Sequence, residues 1–448
     1  MQLIDAINDI LWSYVLIFVL LGGGLYFTVR TRFVQLRMLP DMVRSLVSST
    51  RRRSGASRGI SSFQAFALSL ASRVGTGNIA GVAIAITLGG PGAVFWMWVV
   101  AVIGAANAFV ESTLAQLFKE RGEHSFRGGP AYYISRGLRS RVWAVLFAVL
   151  ITLTFALAFN SVQCNTMALA LERSFGVDPL CTGIVTAVLT LAVICGGVRR
   201  IAVVNQVVVP AMAGLYILLA FYVVVVRIEL FPHVLKLIFE NAFGIDQAVG
   251  GGMGMAVVMG VKRGLFSNEA GEGSTPNAAA TADVSHPVKQ GLVQALGVYV
   301  DTLLVCTATA FIILCSGYHL SDLNGIELTQ YALEGEVGAA ASVFVALAVS
   351  LFAFTSIIAN YYYGETNLAF IRDDRRLAYG LRLTVGAVVL VGALLPLNTV
   401  WALADITMAL MTLCNMLAIL LLGRYAMCCL DDYSAQRSAG RDPHYHKS

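Results

Sequence analysis

Charge is scarce in this sequence. Asp, Glu, Lys and Arg make up 13% of its 448 residues, where a soluble domain carries about 25%, and the mean hydropathy is +0.74. This excludes a soluble globular chain. Each membrane crossing takes roughly 20 apolar residues to span ~30 Å of hydrocarbon, so nearly the whole chain is consumed by spans and the fold class predicted is an all-α polytopic membrane protein. Histidine is also scarce: His124, His233, His286 and His319 fall in predicted loops, His444 and His446 in the tail. Asp373-Asp374 followed by Arg375-Arg376 reads as a solvated helix end, so no catalytic set is visible and no enzyme is expected. The eight cysteines lie mostly in apolar runs without CxxC spacing, which argues against a disulfide framework or a zinc site. Residues 1–9 hold two acids and no basic residue, the opposite of a signal peptide, so the first apolar segment should be retained.

What is present is a series of apolar segments near 10–29, 61–88, 91–118, 142–170, 180–197, 201–226, 247–261, 289–316, 338–370, 377–395 and 398–423, predicting about eleven transmembrane helices. With the N-terminus outside, 25 of the 31 Lys and Arg fall in cytoplasmic segments and three in external ones. That bias sets the N-terminus outside and the C-terminus in the cytoplasm. The net charge of +5 is therefore a topology signal, and no nucleic-acid partner is expected. Residues 31–60 mix apolar side chains with Arg37, Arg44 and Arg51–Arg53, as a segment lying on an anionic lipid leaflet would. The tail 424–448 is short and polar and is expected to be disordered.

The second and seventh of these helices are interrupted by glycine-rich polar stretches, SRVGTGN (Ser72–Asn78) and RGLFSNEAGEGSTPN (Arg263–Asn277). Paired interruptions at corresponding positions of two halves point to an inverted-repeat transporter whose site lies where both helices unwind. Each half has five helices, an odd number, so the second runs inverted relative to the first. The predicted organisation is an extra helix at 1–30, the interfacial segment at 31–60, repeats at 61–226 and 227–423, and the tail. Unwound backbone inside a membrane survives only where protein or solute satisfies it. Gly75 and Gly77 permit close backbone approach; the amides of Thr76, Gly77 and Asn78 suit a carboxylate, and the carbonyls from Ala71 to Val74 suit a small cation. A small-residue packing patch is the plainer alternative. Phe266, Ser267 and Asn268 have the polar density of a site or of an ordinary loop. Asn160 and Gln163 share one helix face, while Asn165 points elsewhere; the pair could meet a substrate or only a neighbouring helix. Thr355 and Ser356 offer adjacent hydroxyls with Asn360 one turn on, although such hydroxyls often bond back to their own helix.

The strings at 69–101 and 263–280, with FRGGPAYYI (126–134), NSVQCN (160–165), ASVFVALAVSLFAFTSIIANYYYGE (341–365) and ALADITMA (402–409), resemble the alanine or glycine:cation symporter family over almost the whole length. The resemblance implies a LeuT-type 5+5 inverted repeat and sodium- or proton-driven uptake of alanine, glycine or a related amino acid across a bacterial inner membrane, with sodium as coupling ion and no other cofactor. It assigns Gly75, Thr76 and Gly77 to the substrate carboxylate, Asn160 and Gln163 to the substrate, and Phe266, Ser267 and Asn268 to the lining of the second break. Thr355 and Ser356, facing Ala71 and Val74, become the sodium site. Two positions depart from the family pattern. Asn360 stands where alanine carriers have Trp, and Glu272 replaces an apolar residue, so a longer side chain such as glutamine's is compatible.

Charges at membrane depth need partners. Asp405 is expected to form an outer gate with Lys262 or Arg263. Arg73 could stand in for a cation beside the substrate, pair with Glu111 or Glu269, or meet an acidic substrate. A passive channel is the remaining rival, and it would require a continuous polar pore rather than paired breaks.

Overall fold

The computed structural model describes residues 2–51, 60–122, 125–244, 252–316 and 322–445. Arg52, Arg53, His124, His319, His446 and the start of the seventh predicted span lie outside them. Helix α1 runs over residues 2–30, and the amphipathic α2 (Leu39–Arg51) follows it. The second predicted span is a pair, α3 (Ser62–Arg73) and α4 (Gly77–Gly89). Then come α5 (Gly92–Leu117), a two-strand ribbon of β1 (Glu120–Arg121) and β2 (Phe126–Arg127), and the short α6 (Pro130–Gly137). The first half ends with α7 (Arg141–Phe175), α8 (Pro179–Ile194) and α9 (Gly197–Val226). After α10 (Phe231–Ala242), the seventh span is again a pair, α11 (Gly252–Asn268) and α12 (Thr275–Thr281). The chain finishes with α13 (Pro287–Cys315), α14 (Gly325–Val337), α15 (Ala339–Ile371), α16 (Arg375–Leu394) and α17 (Leu397–Ser438). Among the described residues, eight helices are long and apolar enough to cross a membrane; the two broken pairs and α8 take the other three predicted places.

Local chemistry fixes the breaks. Ser61 opens α3 with a reciprocal capping box to Gln64, and Val74 leaves helical geometry at ψ 91°. Unwinding is therefore confined to Val74 and Gly75, narrower than Ser72–Asn78. The second break is also narrower than its glycine-rich stretch: α11 stays helical through Asn268, and only 269–274 unwind. Glu269 (φ 56°), Gly271 (φ 91°) and Gly273 (φ 93°) take left-handed backbone there, conformations that a Cβ penalises. Glycine also lets helices approach closely around α5. A Cβ on Gly260 would lie 2.6 Å from the Ala93 carbonyl oxygen, and one on Gly291 2.8 Å from that of Phe109, so α11 and α13 pack directly on its backbone.

Two expectations change. The tail is helical rather than disordered: α17 continues to Ser438 because Cys429, Leu430 and Tyr433 are apolar and buried at its end. Residues beyond it fold back on the turn before α13, where the Tyr445 amide donates to the Ser285 carbonyl (2.8 Å) and Lys289 Nζ reaches Asp442 Oδ1 at 2.6 Å. His233 lies within α10 and not in a loop, since its neighbours Val234 and Ile238 are buried one turn apart.

Candidate functional site

The two breaks lie against each other. A Cβ on Gly77 would stand 2.8 Å from Phe266 Cδ1, and one on Gly75 2.6 Å from Ser356 Oγ and 3.0 Å from the Gln163 amide. No larger residue fits either place without displacing these groups. The Gly75 amide donates to Asn78 Oδ1 (2.9 Å) and the Thr76 amide to Gln163 Oε1 (3.1 Å). Two of the donors expected to hold a carboxylate thus carry side-chain amide oxygens, with which an entering carboxylate would compete. The α3 end also meets α15: Ser356 Oγ is 2.7 Å from the Ala71 carbonyl and 2.9 Å from that of Phe352, to which Thr355 Oγ1 donates at 2.9 Å. The hydroxyls do bond back to their own helix, and Ser356 bridges to the break as well.

A polar chain crosses the same space. Asn360 Nδ2 donates to Asn160 Oδ1 (3.1 Å), and Ser72 Oγ is 2.8 Å from Asn360 Oδ1 and 2.5 Å from Glu269 Oε1. Asn165 instead donates to the Gly392 and Leu395 carbonyls, fastening α7 to the end of α16. Asn268 Oδ1 accepts the Ala270 amide and caps the unwound segment. On the other side, Asn78 Nδ2 donates to Asp301 Oδ1 (2.6 Å), and Ser267 Oγ donates to Asp301 Oδ2 (2.6 Å). Asp301 was not singled out from sequence. The available signal was a single acid in the apolar run of α13, which by default marks a functional position.

The site is buried: Thr76, Gln163, Ser267 and Ser356 are all at most 2% exposed. Phe266 packs between Phe159 and Trp401, with ring centroids 4.5 and 4.6 Å away. Above that layer, Asp405 Oδ2 accepts both Lys262 Nζ (2.7 Å) and Arg263 Nη2 (2.8 Å), so the expected pair is a triad. Arg263 also lies over the Trp401 ring at 4.4 Å. On the opposite side, Ile60 bridges to Ala282, whose carbonyl accepts Lys119 Nζ at 2.7 Å. Burial brings the Lys119 ammonium down to about 8.

Arg73 is 1% exposed and forms no ion pair with Glu111 or Glu269. Its guanidinium donates to the Gln294 carbonyl (3.0 Å) and to Thr275 Oγ1 (2.9 Å), because Gly297 leaves it room against α13. Glu111 is held elsewhere, by the Gly271 amide and Asn415.

Two helices broken at equivalent places, their unwound segments buried face to face, define a secondary transporter of the LeuT-type inverted repeat. Residues 1–447 match the sodium:alanine symporter family, and the chain belongs to that family. It is 52% identical over 447 residues to a probable sodium/glutamine symporter, GlnT, of Bacillus subtilis, covering 100% of this chain and 93% of that one. It is 51% identical to the amino-acid carrier protein AlsT of the same organism, covering 99% and 94%. To the sodium/alanine symporter AgcS of Methanococcus maripaludis it is 37% identical, covering 94% of each. Among solved structures, MhsT in complex with L-phenylalanine superposes with a TM-score of 0.60 at 14% identity, covering 84% of this chain and 98% of that one. A sodium-coupled sialic acid symporter gives 0.57 at 15%, covering 87% and 86%. At such identities the likeness is one of fold. The chain is a multi-pass membrane transporter coupling an amino acid to sodium.

Proposed function

We propose that this chain imports a small neutral amino acid, alanine or glycine, with sodium by alternating access across a bacterial plasma membrane. Its N-terminus is outside and its C-terminus cytoplasmic, as the Lys and Arg distribution supports, and α2 rests on anionic lipid. The repeats 61–226 and 227–423 move against each other. The observation carrying this reading is the junction at Gly75, where the Gly75 and Thr76 amides donate to Asn78 Oδ1 and Gln163 Oε1 and the Ser356 hydroxyl donates to the Ala71 carbonyl. Sodium takes the carbonyls of Ala71 and Val74 with the Thr355 and Ser356 hydroxyls, since a hard cation requires several oxygens. The amino acid takes the Gly75–Gly77 amides, Asn78 and Gln163, with Asn160, Asn360 and the Phe266–Asn268 turn around its side chain. Asp405 and Arg263 gate the outer side. Arg73 supplies a fixed positive charge, so one sodium accompanies each amino acid; reversal potentials showing two would refute that ratio.

A second reading, glutamine, is favoured by the Asn160–Asn360 pair, whose amides can bond a substrate carboxamide. Uptake of labelled alanine into proteoliposomes, competed by glycine and glutamine, tests both. Accumulation above the external concentration with a sodium gradient supports the proposal; accumulation with a proton gradient alone overturns the sodium coupling.

A further inference from the structure

Three carboxylates are buried around the second break, and they are not treated alike. Glu269 has Ser72 Oγ and Ser274 Oγ each at 2.5 Å. Glu111 accepts the Gly271 amide (3.1 Å) and Asn415 Nδ2 (2.8 Å). Glu272 is fully buried, and among the described residues neither of its oxygens meets a donor in hydrogen-bonding geometry; the nearby Ser274 hydroxyl is committed to Glu269. Beside it, Asn107 of α5 reaches Gly271, where a Cβ would lie 3.2 Å from its Nδ2. That amide is fully buried too, with both ends unpartnered.

The surrounding charges sharpen the problem. The charged groups nearest Glu272 are Glu269 in the same break, Glu111 from α5 and Arg73 from α3; Tyr133 from α6 lies toward Glu111, and Tyr363 from α15 and Asp301 from α13 toward Glu269. The neighbouring α7 and α17 contribute Phe147, Asn415 and Met416, none of them titratable. Arg73 is the only cation in this set, and it bonds a carbonyl and a hydroxyl. An ionised carboxylate without donors or a counter-charge is costly to bury, whereas a protonated one needs only a single acceptor for its O–H. Among the described residues the acids do not converge as a set able to hold a metal ion.

We propose that Glu272 is a proton-binding site, holding a neutral carboxylic acid in the conformation described here. When the break opens to the cytoplasm, water supplies the missing solvation and the proton leaves as hydronium, making the cycle proton-linked as well as sodium-linked. The release step rests on the symport reading above; the proton site does not.

Infrared spectroscopy of the purified full chain in lipid nanodiscs, without substrate, tests the site directly. A protonated-carboxyl C=O band present in the native protein should vanish in Glu272→Gln and likewise in Glu272→Met, the second variant covering a failure of the first to fold. A native band unaffected by both, or no band, overturns the proposal. In proteoliposomes loaded with a pH dye, sodium-driven alanine entry should acidify the lumen, with the proton count per alanine lost in Glu272→Gln. Alanine entry without acidification sinks proton linkage and leaves sodium symport standing. If no alanine enters, the symport reading fails and the infrared result alone decides the proton site.

Discussion

Ser356→Ala is the sharpest test of the cation site, because one hydroxyl lies at the meeting point of three elements. It is 2.7 Å from the Ala71 carbonyl, 2.9 Å from that of Phe352, and 2.6 Å from where a Gly75 Cβ would stand. Removing it leaves the Ala71 carbonyl without that partner and takes one oxygen from the proposed sodium shell. A neutral hydrogen bond contributes about 1 kcal/mol, and one to a charged group about 1.5–3 kcal/mol. The second range corresponds to a roughly 10- to 150-fold rise in the sodium concentration for half-maximal transport. Apparent alanine affinity at saturating sodium should change far less, since Gln163 and the Thr76 amide are untouched. Thr355→Ala should act in the same direction. The assay is alanine counterflow in proteoliposomes titrated with sodium. An unchanged sodium midpoint in Ser356→Ala, with protein yield and alanine exchange intact, would refute the site; a fall in alanine affinity alone would move Ser356 to the substrate.

At the outer gate, Asp405→Asn should impair transport most, because it strands two buried cations, and losing one partner of a buried pair costs about 3–5 kcal/mol. Arg263→Gln should cost less, with Lys262 Nζ still 2.7 Å from Asp405, and a double-mutant cycle should show non-additive losses; strict additivity removes the gate. Asn360→Leu should weaken competition by glutamine more than by alanine in uptake assays, since it disconnects Asn160 from Ser72; equal loss for both would assign Asn360 to structure alone. Where the C-terminal tail docks, His286 Nδ1 accepts the Val288 amide and Nε2 lies 3.1 Å from Asp432. Burial lowers its pKa from the ordinary 6.5, outweighing Asp432. The unfolded form therefore binds more protons, so the stability of the docked tail is complete above about pH 6.5 and declines below it. Limited proteolysis near Arg437–Arg441 should accelerate on acidification, and pH-independent cleavage would contradict this.

The places where sequence succeeded and failed share a physical basis. Paired interruptions are legible because glycine and polar residues inside apolar runs have few explanations in lipid, and a Cβ on either Gly75 or Gly77 would meet a neighbouring side chain closer than 3 Å. The extent of unwinding was not legible: Arg263, Phe266 and Ser267 look like loop, yet helical geometry persists until the left-handed backbone at Glu269. Asp301 was missed because its meaning depends on Asn78 and Ser267, which are 223 and 34 residues away along the chain. Of the three readings of Arg73, pairing with Glu111 or Glu269 fails, because charge counting ignores the room that Gly297 leaves beside a helix carbonyl. The tail was read as disordered from its polarity, although Leu430 and Tyr433 lie three residues apart on the buried face of a continuing helix.

Helical persistence to Asn268 also explains how distant closures act together. Arg263, Phe266 and Ser267 fall at i, i+3 and i+4, the spacing that places residues on one helix face. On that face Arg263 holds Asp405 of α17, Phe266 seals against Trp401 and Phe159, and Ser267 holds Asp301 of α13, which in turn holds Asn78 at the start of α4. A rotation or tilt of α11 sufficient to release the outer carboxylate would therefore disturb the aromatic seal and the anchor of the first break in the same movement. Had the helix unwound at Arg263, the gate would be tethered by flexible backbone and could open without consulting the site. The α11 face thus links the Lys262–Arg263–Asp405 triad physically to the unwound amides, and Ser356 extends that link into α15. Alternating access requires such a bistable linkage, in which both ends are biased through one rigid element.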